Sequence, residues 1–388
     1  MGGEATGPVA VVTGSPAADL DSIVASICYA YLLDREGGAA GSVCPYLPIP
    51  HADLPLRPEA LYLFDRVGMQ PASLVFADDV VLKDLLEARQ GELVLVDTQG
   101  HDLAAVLRGR VAEVIDHRPV EETGYAREEE QSARDRPSGY HVENTGGGSF
   151  RQRLRRRIVE PVGSACTLVA EQIFQRKPGI LDRQSATLLL AAVLLDTVNL
   201  DPEAERATEK DRKTAGLLIQ AGAVDIAGLY EELAAARSSV EGLSSTQLLR
   251  KDYKEGTTGA VRFGMSSVPL LLDSWRQRDE RLEEALSGFL AEKALDLLVV
   301  LLYRQGEGFK RQLVFCSTGE QVLHRVVSCL EKPLGLTETT LATEEGEELQ
   351  GTCPAGGRSV VIRSFAQREG GVSRKQIEPR LRQILESP

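Results

Sequence analysis

The sequence predicts an α/β protein. Its N-terminal domain carries a mostly parallel sheet with helices on both faces, and a smaller α+β domain follows. Three observations lead there. Short apolar runs alternate with helix-like stretches through the first half, which is the pattern of βαβ units. Three of those runs, Val9–Val12, Leu93–Val96 and Val111–Ile115, lead into loops that bear aspartates, where open parallel sheets hold their ligands. The composition then shifts near Leu233 to Ser245, so residues 1–232 are expected as the first domain and 233–388 as the second.

The elements follow in order. Val9–Val12 reads as a strand and Ser22–Asp34 as a helix, amphipathic from Ile23 to Leu33. Leu74–Phe76 is short and apolar. Leu93–Val96 is a buried strand ending at Asp97, and Val111–Ile115 is another ending at Asp116. From Tyr125 to Arg157 apolar periodicity is lost, and the segment reads as a surface insertion, either ordered or disordered. Its arginine cluster, Arg151 to Arg157, is either a solvated face or a contact for an acidic partner. Leu188–Leu195 runs up to Asp196 and is helix or strand by periodicity alone. Beyond the composition shift, Leu297–Leu302, Leu313–Phe315 and Val360–Ile362 read as strands, with helices at Leu282–Ala291 and Glu320–Leu330. The acidic stretch Thr337–Glu348 reads as a loop. A cleft between the two domains is the expected place for a ligand.

Composition narrows the function. The chain has 388 residues, 43% hydrophobic and 26% charged, as in a globular protein. A net charge of -13 opposes nucleic acid and anionic membranes, and 5% aromatics leave little for base stacking. An anionic substrate would need local cations. The six cysteines form no Cys-x-x-Cys pair, and no run is long enough to span a membrane. The N-terminus lacks the features of a signal peptide, although Gly2 and Thr6 fit the short myristoylation pattern. Free thiols point to a reducing, cytosolic setting.

The chemistry lies in the aspartates. Asp19 and Asp21 are two residues apart after the first strand, and carboxylates that close repel unless a cation lies between them. Asp19 can equally serve as a helix N-cap. Together with Asp97, Asp116, Asp196 and His117 they make a set of hard carboxylates plus one imidazole, which suits Mg²⁺ or Mn²⁺. A carboxylate bridging two such ions holds them about 3.5–4 Å apart, the arrangement for in-line attack on phosphorus. His117 is either a ligand or a structural histidine. Arg118 is either a bidentate phosphate clamp or a salt bridge to Asp116.

Read in order, Asp19-Leu20-Asp21-Ser22, Val96-Asp97, Val114-Ile115-Asp116-His117-Arg118, Glu160 to Thr167 and Leu195-Asp196 resemble the DHH phosphoesterase superfamily. The second half resembles its DHHA2 domain, with Asp252-Tyr253-Lys254 matching the Asp-x-Lys element and Ser373-Arg374-Lys375 the Ser-Arg-Lys signature. This branch holds family II inorganic pyrophosphatases, exopolyphosphatases and the animal prune proteins. Asp-His-Arg at 116–118 and the stretch Ser238–Lys254 look most like prune.

The resemblance implies roles. Asp19 would bind a first metal, Asp21 and His117 a second, Asp97 would bridge them and Asp196 would complete the site, for up to two Mn²⁺ or Mg²⁺ ions. Asp97, Asp116, His117 and Arg118 would form the catalytic group. Arg118, Lys254, Arg374 and Lys375 would bind phosphate. The implied reaction is attack of metal-bound hydroxide on the terminal phosphorus of short inorganic polyphosphate, with cyclic-nucleotide phosphodiester cleavage as a side activity. Three positions depart from the pyrophosphatase pattern. Ser15 and Thr98 stand where it carries histidines, and Arg118 stands for its second histidine. Ser15, Thr98 and the long insertion motivate the alternative, a weakly active prune-like scaffold whose partners would include nucleoside diphosphate kinase. The chain ends at Pro388 soon after the Ser-Arg-Lys element, so a longer partner-binding tail is expected to be missing. A nuclease of the same superfamily is disfavoured by the acidic charge.

Overall fold

The computed structural model describes residues 7–37, 41–101, 103–119, 154–304, 310–339, 350–352, 359–367 and 374–386. They fall into two units, Met1–Ser239 and Val240–Pro388. The division comes later than the expected 232/233, because the helix Leu229–Ser238 buries Leu229 and Leu233 in the core of the first unit.

In the first unit, β1 (Val9–Thr13), β2 (Ser42–Leu47), β3 (Val75–Phe76), β4 (Glu92–Val96), β5 (Val111–Asp116) and β6 (Arg156–Val159) form one sheet. Its order is β3-β2-β1-β4-β5-β6. All five pairings are parallel. The chain builds outward from β1 to β3, then returns to build the other half from β4. Loops after β1 and β4 therefore leave in opposite directions and open a crevice at the strands' carboxyl ends.

The helices of this unit are α1 (Leu20–Arg35), α2 (Pro58–Val67), α3 (Leu82–Ala88), α4 (Ala105–Arg108), α5 (Ala165–Arg176), α6 (Arg183–Asp196), α7 (Glu209–Gly222) and α8 (Leu229–Ser238). Alternation along the strands assigns them to two faces. Val12, Val94, Val96 and Ile115 pack in the larger cluster with α1, α2, α5, α6 and α8. Val9, Val11, Leu93, Leu95 and Val114 pack in a smaller one with Leu82, Leu85 and Leu86 of α3 and Leu107 of α4.

Two expectations change here. The helix α1 is not amphipathic: twelve of its sixteen residues are buried, because α5 and α6 cover the side turned away from the sheet. Leu188–Leu195 is helical. Its Leu and Ala residues are strong helix formers, and α6 has helix length, capped by Asp182 and Ser185 in a reciprocal box. Fully buried side chains such as Ile23, Leu32, Leu189 and Leu190 each contribute about 1.5–3 kcal/mol by leaving water.

Residues 125–153 of the expected insertion lie outside the described residues. Its end is ordered sequence in the sheet, since Arg156 and Arg157 open the edge strand β6. Arg155 and Arg157 are exposed, and the described arginines also make specific contacts. Arg155 makes paired 2.6 Å bonds to both oxygens of Glu92 and lies 3.5 Å from Glu113. Arg156 reaches Gln172 at 3.3 Å. Arg157 reaches Gln99 at 3.2 Å. Glu92 and Glu113 sit inside the sheet and need cations.

The second unit holds α9 (Ser245–Lys251), β7 (Tyr253–Thr258), β8 (Val261–Val268), α10 (Leu272–Arg278), α11 (Leu282–Glu292), β9 (Leu297–Arg304), β10 (Lys310–Ser317), α12 (Glu320–Leu334), β11 (Leu336–Thr339), β12 (Gln350–Thr352), β13 (Ser359–Gln367) and α13 (Arg374–Glu386). The strand order is β11-β13-β10-β9-β8-β7, with β12 beside β13. Only β8 and β9 pair in parallel among the described strands. One face packs on α12 and α13 through Phe263, Phe315, Phe365, Leu330 and Leu381. The expected acidic loop begins as a strand, because Leu336–Thr339 pairs with β13 and Glu338 meets Arg363 at 2.7 Å. Residues 340–348 lie outside the described set. No helix among the described residues is long and apolar enough to cross a membrane.

Candidate metal centre

The crevice between β1 and β4 gathers the acidic residues. After β1 the chain passes Gly14, where a Cβ would come within 2.7 Å of Ser22 Cβ and 2.9 Å of its carbonyl. Only glycine lets the loop lie that close to α1. Ala18 then takes a left-handed backbone (φ 44), and Asp19 caps α1 by accepting from Ser22 N at 3.1 Å. The capping role of Asp19 is thus realised in the fold. Asp21, two positions further, turns inward and is buried.

Three donor-bearing side chains converge. Ligand atoms of Asp21, Asp97 and His117 all lie within 4.8 Å of one another. Asp97 directly follows β4 in a left-handed conformation (φ 54), which aspartate tolerates better than most residues. Its own N–H donates to Ile115 O at 2.8 Å. Asp97 Oδ2 accepts from Ser22 Oγ. Its Oδ1 accepts from Arg118 at 2.8 Å and lies 3.3 Å from His117 Nε2.

Each member is held from behind. His117 Nδ1 donates to Val162 O at 2.9 Å, which turns Nε2 toward the carboxylates, as in metal-binding histidines. Asp21 Oδ1 accepts from Ser164 Oγ at 2.6 Å and from Cys166 N at 3.0 Å, and Oδ2 accepts from Ala165 N at 2.6 Å. These donors form the N-terminus of α5, whose dipole favours a carboxylate there. Asp116 Oδ1 accepts from the backbone N–H groups of His117 and Arg118, at 2.8 and 3.4 Å, and shapes the turn that carries them. Thr98 Oγ1 accepts from Gly100 N at 3.2 Å and closes the turn after Asp97.

The electrostatics call for a cation. Burial and the charges of Asp21 and Asp19 push the Asp97 carboxyl up to about 6, against the bonds from His117 and Ser22. Asp196, at the end of α6, is pushed up to about 8 by burial and by Asp21, Asp19 and Asp97, with Arg237 opposing. Burial disfavours the charged form of His117, yet its bond to Asp97, the charge of Asp21 and the Val162 carbonyl carry it up to about 9. Crowded carboxylates with an imidazole fit a hard divalent ion. The tight cluster excludes Asp19 and Asp196 among the described residues.

Arg118 binds Asp97 twice, through the carboxylate and through the carbonyl at 3.0 Å. Its guanidinium pairs with Asp97 rather than with Asp116. In the second unit, Arg374 bridges the two signature elements: its Nη1 meets Asp252 Oδ1 at 2.7 Å and Asp252 O at 2.8 Å. Lys254 lies exposed on the edge strand β7. Lys375 follows Arg374 on α13, and its side chain lies outside the described residues.

Sequence reasoning missed the supports. Ser22 and Ser164 were visible only as parts of motifs, and Val162 acts through a carbonyl that carries no sequence signal. The Ser164–Thr167 segment starts a helix with Cys166 in the core, and that start also grips Asp21.

Fold and site together define a metal-dependent phosphohydrolase with a DHHA2 domain; the DHHA2 domain model matches residues 231–384. Rattus norvegicus "Exopolyphosphatase PRUNE1" is 32% identical over 97% of this chain and 76% of that protein. The "Putative exopolyphosphatase" of Schizosaccharomyces pombe is 28% identical over 95% of this chain and 89% of that one. The "Manganese-dependent inorganic pyrophosphatase" of Methanocaldococcus jannaschii is 24% identical over 75% of this chain and 81% of that one. The chain belongs to the prune exopolyphosphatase family.

Proposed function

We propose that this protein hydrolyses phosphoric anhydride bonds of short inorganic polyphosphates at the Asp21–Asp97–His117 cluster. The observation that carries the reading is the convergence of those three donors at the carboxyl ends of β1, β4 and β5. The names of the relatives supply the substrate class.

Asp21, Asp97 and His117 would hold a Mn²⁺ or Mg²⁺ ion, with Asp19 and Asp196 flanking a second, weaker position. A divalent ion in such a cluster lowers the pKa of a water and draws charge from phosphoryl oxygens. The chain's own residues do the rest. Asp116 sets the turn that aims His117 and Arg118. Arg118, half-exposed beside Asp97, turns a planar fork of donors to the anion. By the family resemblance, Lys254, Arg374 and Lys375 would also bind phosphate. Fixed donors of this kind stabilise charge that builds on oxygen as the bridging bond breaks. The free cysteines, all unbridged among the described residues, fit a cytosolic setting.

One observation favours a second reading, a weakly active scaffold. The Arg118 guanidinium neutralises Asp97 and competes with a second cation for that carboxylate. One assay decides between the two. Purified protein should release phosphate from tripolyphosphate only with added Mn²⁺ or Mg²⁺, and Asp97→Ala should abolish the release. Turnover without metal, turnover indifferent to that change, or no turnover at all would sink the hydrolase reading.

A further inference from the structure

The segment Val162–Cys166 orients two of the three clustered donors at once. Val162 O receives His117 Nδ1–H at 2.9 Å. Ser164, Ala165 and Cys166 supply three hydrogen bonds to the Asp21 carboxylate. The same segment packs beside a third acidic residue, because a Cβ on Gly163 would collide with Thr197, which directly follows Asp196. The backbone there is tightly prescribed: Val198, Asn199 and Leu200 are all left-handed, with φ of 54, 57 and 59.

What holds this segment is Asp211, a residue of α7 that no sequence motif above includes. Asp211 is fully buried. Its Oδ2 accepts from Gly163 N at 2.8 Å, Thr208 N at 2.7 Å and Thr208 Oγ1 at 2.7 Å. Its Oδ1 accepts from Thr167 Oγ1 at 2.6 Å. One carboxylate therefore ties the start of α7 to both sides of the α5 N-terminus. The bond to Gly163 falls between Val162, which aims His117, and Ser164, which holds Asp21.

We infer that Asp211 is a positioning residue for the metal centre, acting through the Gly163 amide to keep Asp21 and His117 convergent. This rests on the metal reading above. Supporting residues of this kind typically tune metal affinity by about 10–100-fold.

The test is Mn²⁺ affinity of the intact chain, measured by calorimetry and by electron paramagnetic resonance of free Mn²⁺. Asp211→Leu should weaken binding by about 10–100-fold. Asp211→Asn should stay within about threefold of wild type, because its carbonyl still accepts at Gly163 while its amide donates to Thr167 Oγ1. Thr167→Val removes only the bond on the other oxygen, so it should lower thermal stability and leave Mn²⁺ affinity nearly unchanged. Should Asp211→Leu not fold, Gly163→Ala displaces the same segment, since its Cβ would come 2.7 Å from Arg206 O, and should weaken binding at least about tenfold. Unchanged affinity in a folded Asp211→Leu or in Gly163→Ala overturns the inference. So does an equal loss in Thr167→Val, which would mark a general packing effect. A wild-type chain that binds no Mn²⁺ overturns the metal reading itself, whatever the variants do.

Discussion

Asp97→Asn should make the metal-free protein more stable and the protein inactive. Asp97 lies fully buried among Asp21 and Asp19, and the gap between the ordinary 3.8 and about 6 corresponds to about 3 kcal/mol. The sign follows from linkage. A carboxyl whose folded value is raised favours its protonated form in the folded state. Its contribution is fully present below about 4 and is lost as pH rises from there through about 6. At pH 8 the wild-type chain without metal carries the whole penalty. Asparagine removes the charge, keeps the shape and tolerates the left-handed backbone. It gives up the pairing with half-exposed Arg118, worth about 0–1 kcal/mol. The net expectation is a metal-free variant about 2–3 kcal/mol more stable at pH 8, with the gain shrinking toward pH 5. Manganese should stabilise the wild type, by about 2.7 kcal/mol at a hundredfold excess over its dissociation constant, and the variant far less. The sole tryptophan, Trp275, belongs to the second unit, so the first unit is best followed by hydrogen exchange at β1 and β4 in urea. A variant that is less stable at pH 8, or that gains as much from Mn²⁺ as the wild type, would refute the crowding argument.

Three further outcomes are expected. Arg118→Ala should lower kcat/KM for tripolyphosphate by about 100-fold, read by phosphate release at saturating Mn²⁺. Ser164→Ala removes the N-cap of α5 and the 2.6 Å donor to Asp21; it should cost about 1–2 kcal/mol in urea unfolding and weaken Mn²⁺ binding in calorimetry. Gly14→Ala forces a methyl against Ser22 and should destabilise by about 1–3 kcal/mol, with a larger relative loss of activity than of soluble yield, because Ser22 Oγ also bonds Asp97.

Much of the fold was legible because local patterns state it. Val9–Val12, Leu93–Val96 and Val111–Ile115 are apolar runs of strand length, and β1, β4 and β5 contain them. The arginine run was harder to read. Nothing near Arg155 in the chain shows that Glu92 and Glu113 wait for it inside the sheet. Leu188–Leu195 was undecided for a related reason. A segment buried on every side has no polar face, so its periodicity vanishes.

By itself, the sequence determined the chemical types and the places where strands stop. Aspartates after apolar runs, one histidine and an arginine beside it were all present to be counted. It also carried the family resemblance in order along the chain. Only the tertiary structure decided which carboxylates meet. Strand order places β4 against β1, so Asp97 arrives beside Asp21 from 76 positions away. It also separated neighbours: Asp19 turns to cap α1 while Asp21 turns inward to α5. The reason is physical. Sequence spacing sets the direction of a side chain within one element, but the convergence of donors depends on pairings between strands and helices far apart in the chain. Those pairings are set by burial of the whole core, and the hydrogen bonds that involve Val162, Ser164 and Asp211 exist only once that core has closed.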